Sequence, residues 1–300
     1  MHNHPHISYE EAGNSMRMAS LVSLIVGVIL VSIKAFAWLM SDSLSMMSSL
    51  ADSVLDVMAS TVNFVAVRYA LQPPDKEHRF GHGKAEDLAT LAQSTFICGS
   101  GAFLVIEGIK RLFWPEPVYN SAIGVMVMII SIFFTASMVI YQRYIVRKTS
   151  SSAIAADSMH YLADLISNAG VIVALILTSW FGWKIADPLV GLLIAAAIIY
   201  GASQMGQGAF HNLMDREFSD EERKKIKNIV RGFPEISSLH ELRTRKSGIN
   251  GFIQFHLDFA DEDISLKHAH EISDKIEDAL KLVFPHTEIL IHQDPLHGDK

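Results

Sequence analysis

Long apolar runs fill the first 210 residues of the chain, whereas apolar and polar residues alternate over shorter distances in the last 90. A helix needs about 20 mostly apolar residues to cross the hydrocarbon core of a bilayer, which is about 30 Å thick. Six runs meet this length, at residues 18–40, 44–70, 88–112, 119–141, 153–181 and 184–210. The pattern predicts a membrane all-α part of six transmembrane helices over residues 18–210, preceded by a tail at residues 1–17.

The periodicity of the last 90 residues is that of a small mixed domain. The predicted elements are, in order, a helix at 219–231, strands at 238–246 and 251–259, a helix at 265–284 and a strand at 288–292. Ser219 followed by Glu222 is the sequence pattern of a capping box at the start of the first helix. The order α-β-β-α-β predicts a two-layer α+β domain of ferredoxin-like type over residues 211–300.

Composition supports this division and excludes several classes of protein. Of the 57 Asp, Glu, Lys and Arg residues, 31 lie in the last 90 residues, and the mean hydropathy of the chain is +0.26. The net charge of −7 argues against a nucleic-acid partner, since phosphate binding needs a basic surface. Cys98 is the single cysteine, which excludes a disulfide scaffold and a thiolate metal cluster.

The distribution of Lys and Arg among the short loops predicts the orientation in the membrane, because cytoplasmic loops carry the excess. An even number of spans puts both termini on one side. That side holds Arg17, Arg68, Lys76, Arg79, Lys84, Arg143, Arg147 and Lys148, against Lys110, Arg111 and Lys184 on the other. We therefore expect both termini to be cytoplasmic.

Two predicted spans contain pairs of ionisable residues that apolar helices rarely carry. Asp52 and Asp56 are four residues apart and share one helix face, and His160 and Asp164 repeat that spacing in the fifth span. A charged carboxylate at the bilayer centre costs about 2.5 to 3.5 kcal/mol, so such residues are usually functional. The four side chains match a tetrahedral Zn²⁺ site. The alternative is that they bond to neighbouring backbones or cap helix ends.

This set of ligands predicts exchange of metal for protons. Three clustered carboxylates repel one another without a metal and hold protons. A divalent ion needs ionised carboxylates and a neutral imidazole, so its entry expels protons. A site without thiolates also lets its ion leave more readily.

Two further groups of candidate ligands lie outside the spans. The segment PPDKEHRFGHGK contains Asp75, His78 and His82, which converge on one ion if the loop folds back; the alternative is a solvated polar loop. The soluble domain offers His240, His256, His270, His292 and Asp294. Five such ligands favour a two-metal site bridged by Asp294 or His256. Taken singly, each histidine is more simply explained as an ordinary polar residue. In the tail, His2, His4 and His6 predict at most weak metal binding in a disordered segment.

The chain resembles the cation diffusion facilitator family, and within it the bacterial zinc and ferrous-iron efflux pumps. The segments that carry the resemblance are LADSVLDVMAS, VRYALQPPDKEHRFGHGKAE, ADSMHYLADLISN, LMDREFSDEER, LHELRTRKSG, FIQFHLDF and LIHQDP. The resemblance implies a homodimeric antiporter of the bacterial inner membrane that exports divalent cations from the cytoplasm in exchange for protons, with the three ligand groups named above and a metallochaperone-like cytoplasmic domain.

The resemblance also implies residue roles that the spacing does not give. Lys84 and Asp215 match a salt bridge that holds the dimer at the membrane surface, and Gln293 matches a residue that contacts the cytoplasmic metals. The loop before the second soluble helix is one residue longer than the family pattern, so His268 stays an alternative to His270.

Three functions compete on the sequence. The first is a carrier of Zn²⁺, and also of Cd²⁺ and Fe²⁺, with Mn²⁺ and Co²⁺ not separated from them. The second is a membrane-anchored metal sensor, which gives Asp56 and Asp164 no role inside the membrane. The third is a membrane metallohydrolase, which four protein ligands and the lack of a nucleophile motif argue against. The carrier accounts for the most residues.

Overall fold

The computed structural model describes residues 8–41, 44–113, 122–181, 185–261 and 263–295. The chain forms two compact units, Met1–Phe210 and His211–Lys300.

The first unit is built from long helices, as its apolar runs predict. Their bounds are α1 Tyr9–Ser41, α2 Leu44–Ala70, α3 Lys84–Phe113, α4 Ala122–Thr149, α5 Ser152–Phe181 and α6 Ala186–Leu213. In the described part of the chain, α1, α2, α3, α4 and α6 are long and apolar enough to cross a membrane. Helix α5 has 30 residues, which is also sufficient length for a span.

Helix α1 begins nine residues before the predicted span. The extra turns are amphipathic, and Ala12 and Met16 on them are buried at 3% and 0% exposure. Packing inside the unit therefore extends this helix beyond the part that the apolar run predicts.

The start of α5 is held by a residue of α3. The carboxylate of Glu86 accepts hydrogen bonds from the Ser151 hydroxyl and, at 3.4 Å, from the backbone N–H of Ala153. Free N–H groups in the first turn of a helix need such acceptors. The contact fixes α5, the helix that carries His160 and Asp164.

The second unit is a three-stranded sheet with two helices. Its elements are α7 Asp220–Val230, β1 Ile236–Ser247, β2 Asn250–Phe259, α8 Leu266–Val283 and β3 Thr287–Asp294. The central strand β2 pairs antiparallel with β1 and parallel with β3. Both helices begin at the serines that the sequence predicts, and the capping box between Ser219 and Glu222 is formed.

Alternation along β2 separates the two faces of the sheet. Ile253, Phe255 and Leu257 are at most 1% exposed and join the apolar residues of α7 and α8 in one core. The side chains between them, including His256, point to the opposite face and are half-buried. The histidines therefore lie on the side of the sheet away from the core.

Candidate metal centres

Helices α2 and α5 bring three of the four predicted membrane ligands together. His160 Nε2 lies 3.0 Å from Asp56 Oδ1, and one ligand atom each of Asp56, His160 and Asp164 lies within 4.8 Å of the others. Because His160 and Asp164 are four residues apart, one face of α5 presents both to α2. His160 is only 5% exposed, so the imidazole is enclosed by the helices.

Asp52 stands one turn away from this cluster on α2. Its side chain is exposed in the single chain, and it is outside the group of described ligand atoms within 4.8 Å. Its carboxylate nevertheless interacts electrostatically with Asp56 and with Lys34 of α1. The role of Asp52 as a fourth ligand stays a prediction.

The sequence analysis did not select Asp157, which lies one turn before His160 on α5. Asp157 is fully buried, and its carboxylate accepts hydrogen bonds from Gln142 Nε2 at 2.6 Å and from the Ser60 hydroxyl at 3.3 Å. Ser60 also contacts the hydroxyls of Tyr161 at 2.8 Å and Ser23 at 3.2 Å. This network joins α1, α2, α4 and α5 beside the cluster. The i, i+3 spacing to His160 was the signal for Asp157 in the sequence.

The loop between α2 and α3 brings Asp75, His78 and His82 together, with ligand atoms within 4.8 Å. His82 Nε2 is 3.2 Å from Asp75 Oδ2, and the rings of His78 and His82 are 4.7 Å apart. The turn between the two histidines depends on Gly81, whose φ of +79° is strained for other residues.

The donor set of the loop fits a divalent metal. The backbone N–H of His78 donates to Asp75 at 2.6 Å and is the main cause of the lowered pKa of that carboxyl; the N–H of Glu77 adds to the effect, and desolvation opposes it. Asp75 is therefore ionised at neutral pH, the form that a metal ligand needs. The ring nitrogen of His82 that faces Asp75 and could bind the ion is Nε2, while its Nδ1 is buried without a hydrogen-bond partner in the described chain.

In the second unit, the strand register lines up three histidines. His240 pairs with His256 across β1 and β2, and His256 pairs with His292 across β2 and β3. Their rings follow one another at 5.1 Å and 4.5 Å between centroids. A register shift after His240, with Glu241 at a φ of +46°, forms a β-bulge next to the row.

Asp294 contacts every member of this histidine row. One carboxylate oxygen is 2.8 Å from His256 Nδ1 and 3.7 Å from His240 Nε2, and the other is 3.2 Å from His292 Nε2. The hydrogen bond from His256 is the largest cause of the lowered pKa of Asp294; desolvation opposes it, and the charges of the histidines add to it. Imidazole nitrogens and a carboxylate at these separations are suitable ligands for Zn²⁺.

The remaining predicted ligands of this domain contact other residues. His270 lies on α8 with Nε2 3.7 Å from Asp274, outside the group of His240, His256 and Asp294 whose ligand atoms lie within 4.8 Å of one another. His292 is also outside that group, but its Nε2 is 3.2 Å from Asp294. His268 lies 3.6 Å from Glu271. Gln293 donates from Nε2 to the Ser273 hydroxyl at 2.9 Å. Whether His270 or His268 is a ligand stays a prediction.

Asp258 is a second carboxylate beside the row that the sequence analysis missed. Its Oδ1 is 3.8 Å from His240 Nε2, and it accepts a short hydrogen bond from Ser238. The signal was its position two residues after His256, on the same face of β2.

The predicted dimer salt bridge involves one residue of each unit. Lys84 begins α3, and Asp215 Oδ1 lies 3.6 Å from Arg245 Nη1 within the second unit. The pairing of Lys84 with Asp215 stays a prediction. The histidines of the tail, His2, His4 and His6, lie outside the described residues.

Comparison with known families accounts for both units. Residues 20–214 match the model of the cation efflux transmembrane domain, and residues 218–296 match that of the cation efflux protein cytoplasmic domain. The fold class predicted above, membrane helices followed by a cytoplasmic α+β domain, is thereby confirmed.

Individual relatives match over nearly the whole chain. The cation-efflux pump FieF of Klebsiella pneumoniae strain 342 is 46% identical over 283 residues, 94% of each chain, and that of Yersinia enterocolitica is 46% identical over 93% of each chain. A solved chain of CzrB in its Zn form is 31% identical, covers 29% of this chain and 98% of its own, and has a TM-score of 0.26. The resemblance stated from the motifs is confirmed.

Proposed function

Because this chain belongs to the cation efflux family, whose members are membrane transporters rather than enzymes, we propose that it exports Zn²⁺ from the bacterial cytoplasm in exchange for protons. Efflux of a divalent metal cation follows from the family. The choice of ion and the proton exchange are the proposal, which extends to Cd²⁺ and Fe²⁺ as further cargo.

The contact between Asp56 and His160 carries the proposal. It joins two membrane helices through a carboxylate and an imidazole, with Asp164 beside them. These groups bind either protons or a divalent cation, because the metal needs the imidazole neutral and the carboxylates ionised. When the site opens in turn to each side of the membrane, the competition between the two ligands becomes exchange.

The direction of export rests on the orientation of the chain. We propose that the protein lies in the inner membrane with both termini in the cytoplasm, as its Lys and Arg distribution favours. The loop cluster and the second unit then face the cytoplasmic metal pool.

The second unit is proposed to hold two resident zinc ions and to form a homodimer. His240, His256 and His292 are the ligands, with Asp294 as the bridging carboxylate. The contacts of Asp294 with all three imidazoles support this choice over a bridging His256. Zinc bound by these residues would link the three strands on which they lie.

Reconstituted vesicles test the exchange directly. Zn²⁺ added outside vesicles that contain a pH dye is expected to enter together with alkalinisation of the interior, because protons leave as the metal enters. Asp56→Ala is expected to abolish both signals. Glu107→Gln is the matched control, since Glu107 is a carboxylate on a membrane helix that lies 3.8 Å from Lys110 instead.

Two outcomes would contradict the proposal. Zn²⁺ flux without a pH change refutes proton exchange, and unchanged flux in Asp56→Ala refutes the membrane cluster as the transport site. Repeating the assay with Cd²⁺, Fe²⁺, Mn²⁺ and Co²⁺ determines the range of cargo.

A further inference from the structure

A lysine on α1 lies beside the membrane cluster and has no part in the exchange described above. Lys34 is within the apolar span Tyr9–Met40. A lysine at such a position is costly and usually functional.

The ammonium of Lys34 is directed toward α2. Nζ donates to the Ser53 hydroxyl at 2.6 Å and to the backbone carbonyl of Ser49 at 3.2 Å. Ser53 is only 3% exposed and lies three residues before Asp56, and Ser49 lies three residues before Asp52, a spacing that makes each pair neighbours on the helix surface. The lysine thus reaches the helix face that carries the acidic pair.

The same ammonium acts electrostatically on all three carboxylates of the predicted quartet. Its charge interacts with those of Asp52, Asp56 and Asp164, and it has the opposite sign to each. Among the described residues of α1 from position 18 onward, Lys34 is the one charged side chain. It adds one ammonium group to the three acids and the histidine of the predicted quartet, and the Asp157 carboxylate beside them is held by Gln142 and Ser60.

The charges of this site balance for a divalent ion. Within the predicted quartet, three ionised carboxylates contribute −3 and a ligating imidazole contributes nothing; the Lys34 ammonium contributes +1, so these five groups sum to −2. A cation of charge +2 makes the whole set neutral, which a membrane interior strongly favours. Without the lysine, the metal-loaded site would retain a charge of −1.

We propose that Lys34 is the fixed counter-charge of the transport site, which sets its net charge to −2 and weakens its hold on the bound cation enough for release. This inference rests on the proposed function in that the cation must leave. Lys34 acts on the cargo through space, and its hydrogen bonds to α2 hold the ammonium in place.

Three substitutions separate charge from hydrogen bonding. Lys34→Gln removes the charge and keeps a donor for Ser53 and Ser49. Lys34→Arg keeps the charge, and Ser53→Ala removes a hydrogen bond while the charge stays. The readouts are equilibrium Zn²⁺ binding, taken as the part that Asp56→Ala abolishes in each background, and KM and kcat of Zn²⁺ flux.

The expected result is specific to charge. Lys34→Gln binds Zn²⁺ about tenfold or more tightly, since one charge acting on a divalent ion at an effective dielectric constant of about 20 is worth at least this much. Its KM and kcat both fall, because release becomes slow. Lys34→Arg and Ser53→Ala stay within about threefold of the parent protein, a difference of well under 1.4 kcal/mol.

Other results overturn the inference. Unchanged or weaker Zn²⁺ binding in Lys34→Gln does so, as does a change in Ser53→Ala as large as that in Lys34→Gln. If Lys34→Gln is not monodisperse, Lys34→Met tests the same loss of charge with the stem retained. The binding arm is independent of flux: absent flux in the parent protein refutes the proposed function, whereas equal affinities refute the counter-charge.

Discussion

Single buried polar residues fix the membrane helices relative to one another. Among the described acidic residues, Asp157 is the most deeply buried. Its oxygens satisfy the amide of Gln142 and the hydroxyl of Ser60 on two other helices. In an apolar unit, several rotations of a helix about its axis bury similar apolar area, and these hydrogen bonds favour one of them. The residue therefore positions the helix face that bears His160.

Removing this acceptor is expected to destabilise the membrane unit. Asp157→Ala removes the acceptor of the buried Gln142 amide, at about 1 to 3 kcal/mol, whereas Ser60 keeps its contacts with Tyr161 and Ser23. Thermal unfolding in detergent should therefore begin at a lower temperature. Asp157→Asn keeps one acceptor oxygen, so its melting temperature should fall less than that of Asp157→Ala. An unchanged melting temperature in Asp157→Ala would show that the network adds nothing to stability.

At this scale the sequence predicts which residues share a face, and the structure adds which faces meet. The four-residue spacing of His160 and Asp164 was sufficient to place both in one site. The contacts of Lys34 and Asp157 were not predictable, because they depend on how α1 and α4 are rotated against α2 and α5. Helical periodicity determines positions within a helix and contains no information on its neighbour.

At the scale of elements, local signals determine where the cytoplasmic helices begin. Ser219 and Glu222 exchange hydrogen bonds at the start of α7: Glu222 Oε2 accepts from the Ser219 backbone N–H at 2.9 Å, and the Glu222 N–H donates to the Ser219 hydroxyl at 3.3 Å. Lys246 Nζ lies 3.2 Å from the same carboxyl group. Burial alone raises the pKa of Glu222, but the Ser219 N–H and Lys246 outweigh it and lower the pKa overall.

Neutralising this carboxylate is expected to loosen the first turn of α7. Because the pKa is lowered on folding, the stabilisation is present above the ordinary value of about 4.3 and is lost as the pH falls through the lowered one. At neutral pH, Glu222→Gln should speed amide exchange of this turn by an amount equivalent to about 1 kcal/mol. The difference should vanish under acid conditions. Exposed Glu221→Gln is the control, and equal exchange rates in both variants would contradict the prediction.

Strand alternation predicted β1, β2 and β3 but not their register. The hairpin turn could have placed His240 opposite another residue, and the bulge at Glu241 adjusts the pairing so that it meets His256. A bulge of this kind leaves no clear sequence signal in a non-glycine residue. The row of histidines was therefore suggested by composition and is defined by the register.

The row predicts how metal binding in the cytoplasmic unit depends on pH. Zn²⁺ affinity should fall as the pH is lowered from about 7.5 to 5.5, because protons compete for the imidazoles that bind metal. Asp294 does not cause this loss, since its pKa lies below the ordinary value of about 3.9 and its carboxylate stays ionised throughout.

Calorimetry on a chain carrying Asp56→Ala and His82→Ala isolates this site. Adding His256→Ala should remove binding, whereas adding His268→Ala should leave it, because His268 contacts Glu271 instead. Affinity independent of pH, or loss of binding in His268→Ala, would refute the assignment.

At the scale of the whole molecule, the two units follow different rules of burial. The cytoplasmic unit encloses its large apolar residues in a core around Phe255 and Ile276. The membrane unit leaves many exposed, including Phe36, Leu193 and Ile140 at about 70%, as lipid contact permits. Polar contacts such as those of Glu86 and Asp157 then give the helices their specific arrangement. Two adjoining units of opposite solvent preference are what the charge distribution of the sequence predicted.

The predicted dimer gives the last test, through Lys84 and Asp215. If these residues form the interlocking pair, Lys84→Ala and Asp215→Ala each weaken the dimer by up to about 1 kcal/mol per exposed pair, twice over because of the twofold symmetry. The double variant should then be no weaker than either single one. The measurement is the dimer dissociation constant in detergent at low salt, and high salt should reduce every difference.

Asp215 also lies 3.6 Å from Arg245 of its own domain, so its substitution has two effects that must be separated. Arg245→Ala removes this intrachain ion pair and leaves Lys84 and Asp215 in place. If the dimer is held by Lys84, Arg245→Ala retains the parent dissociation constant or tightens the dimer, since Arg245 then no longer competes with Lys84 for Asp215. Two results together would refute the salt bridge between Lys84 and Asp215. They are that Arg245→Ala weakens the dimer as much as Asp215→Ala does, and that the effects of Lys84→Ala and Asp215→Ala are additive. Asp215 would then act by stabilising its own domain.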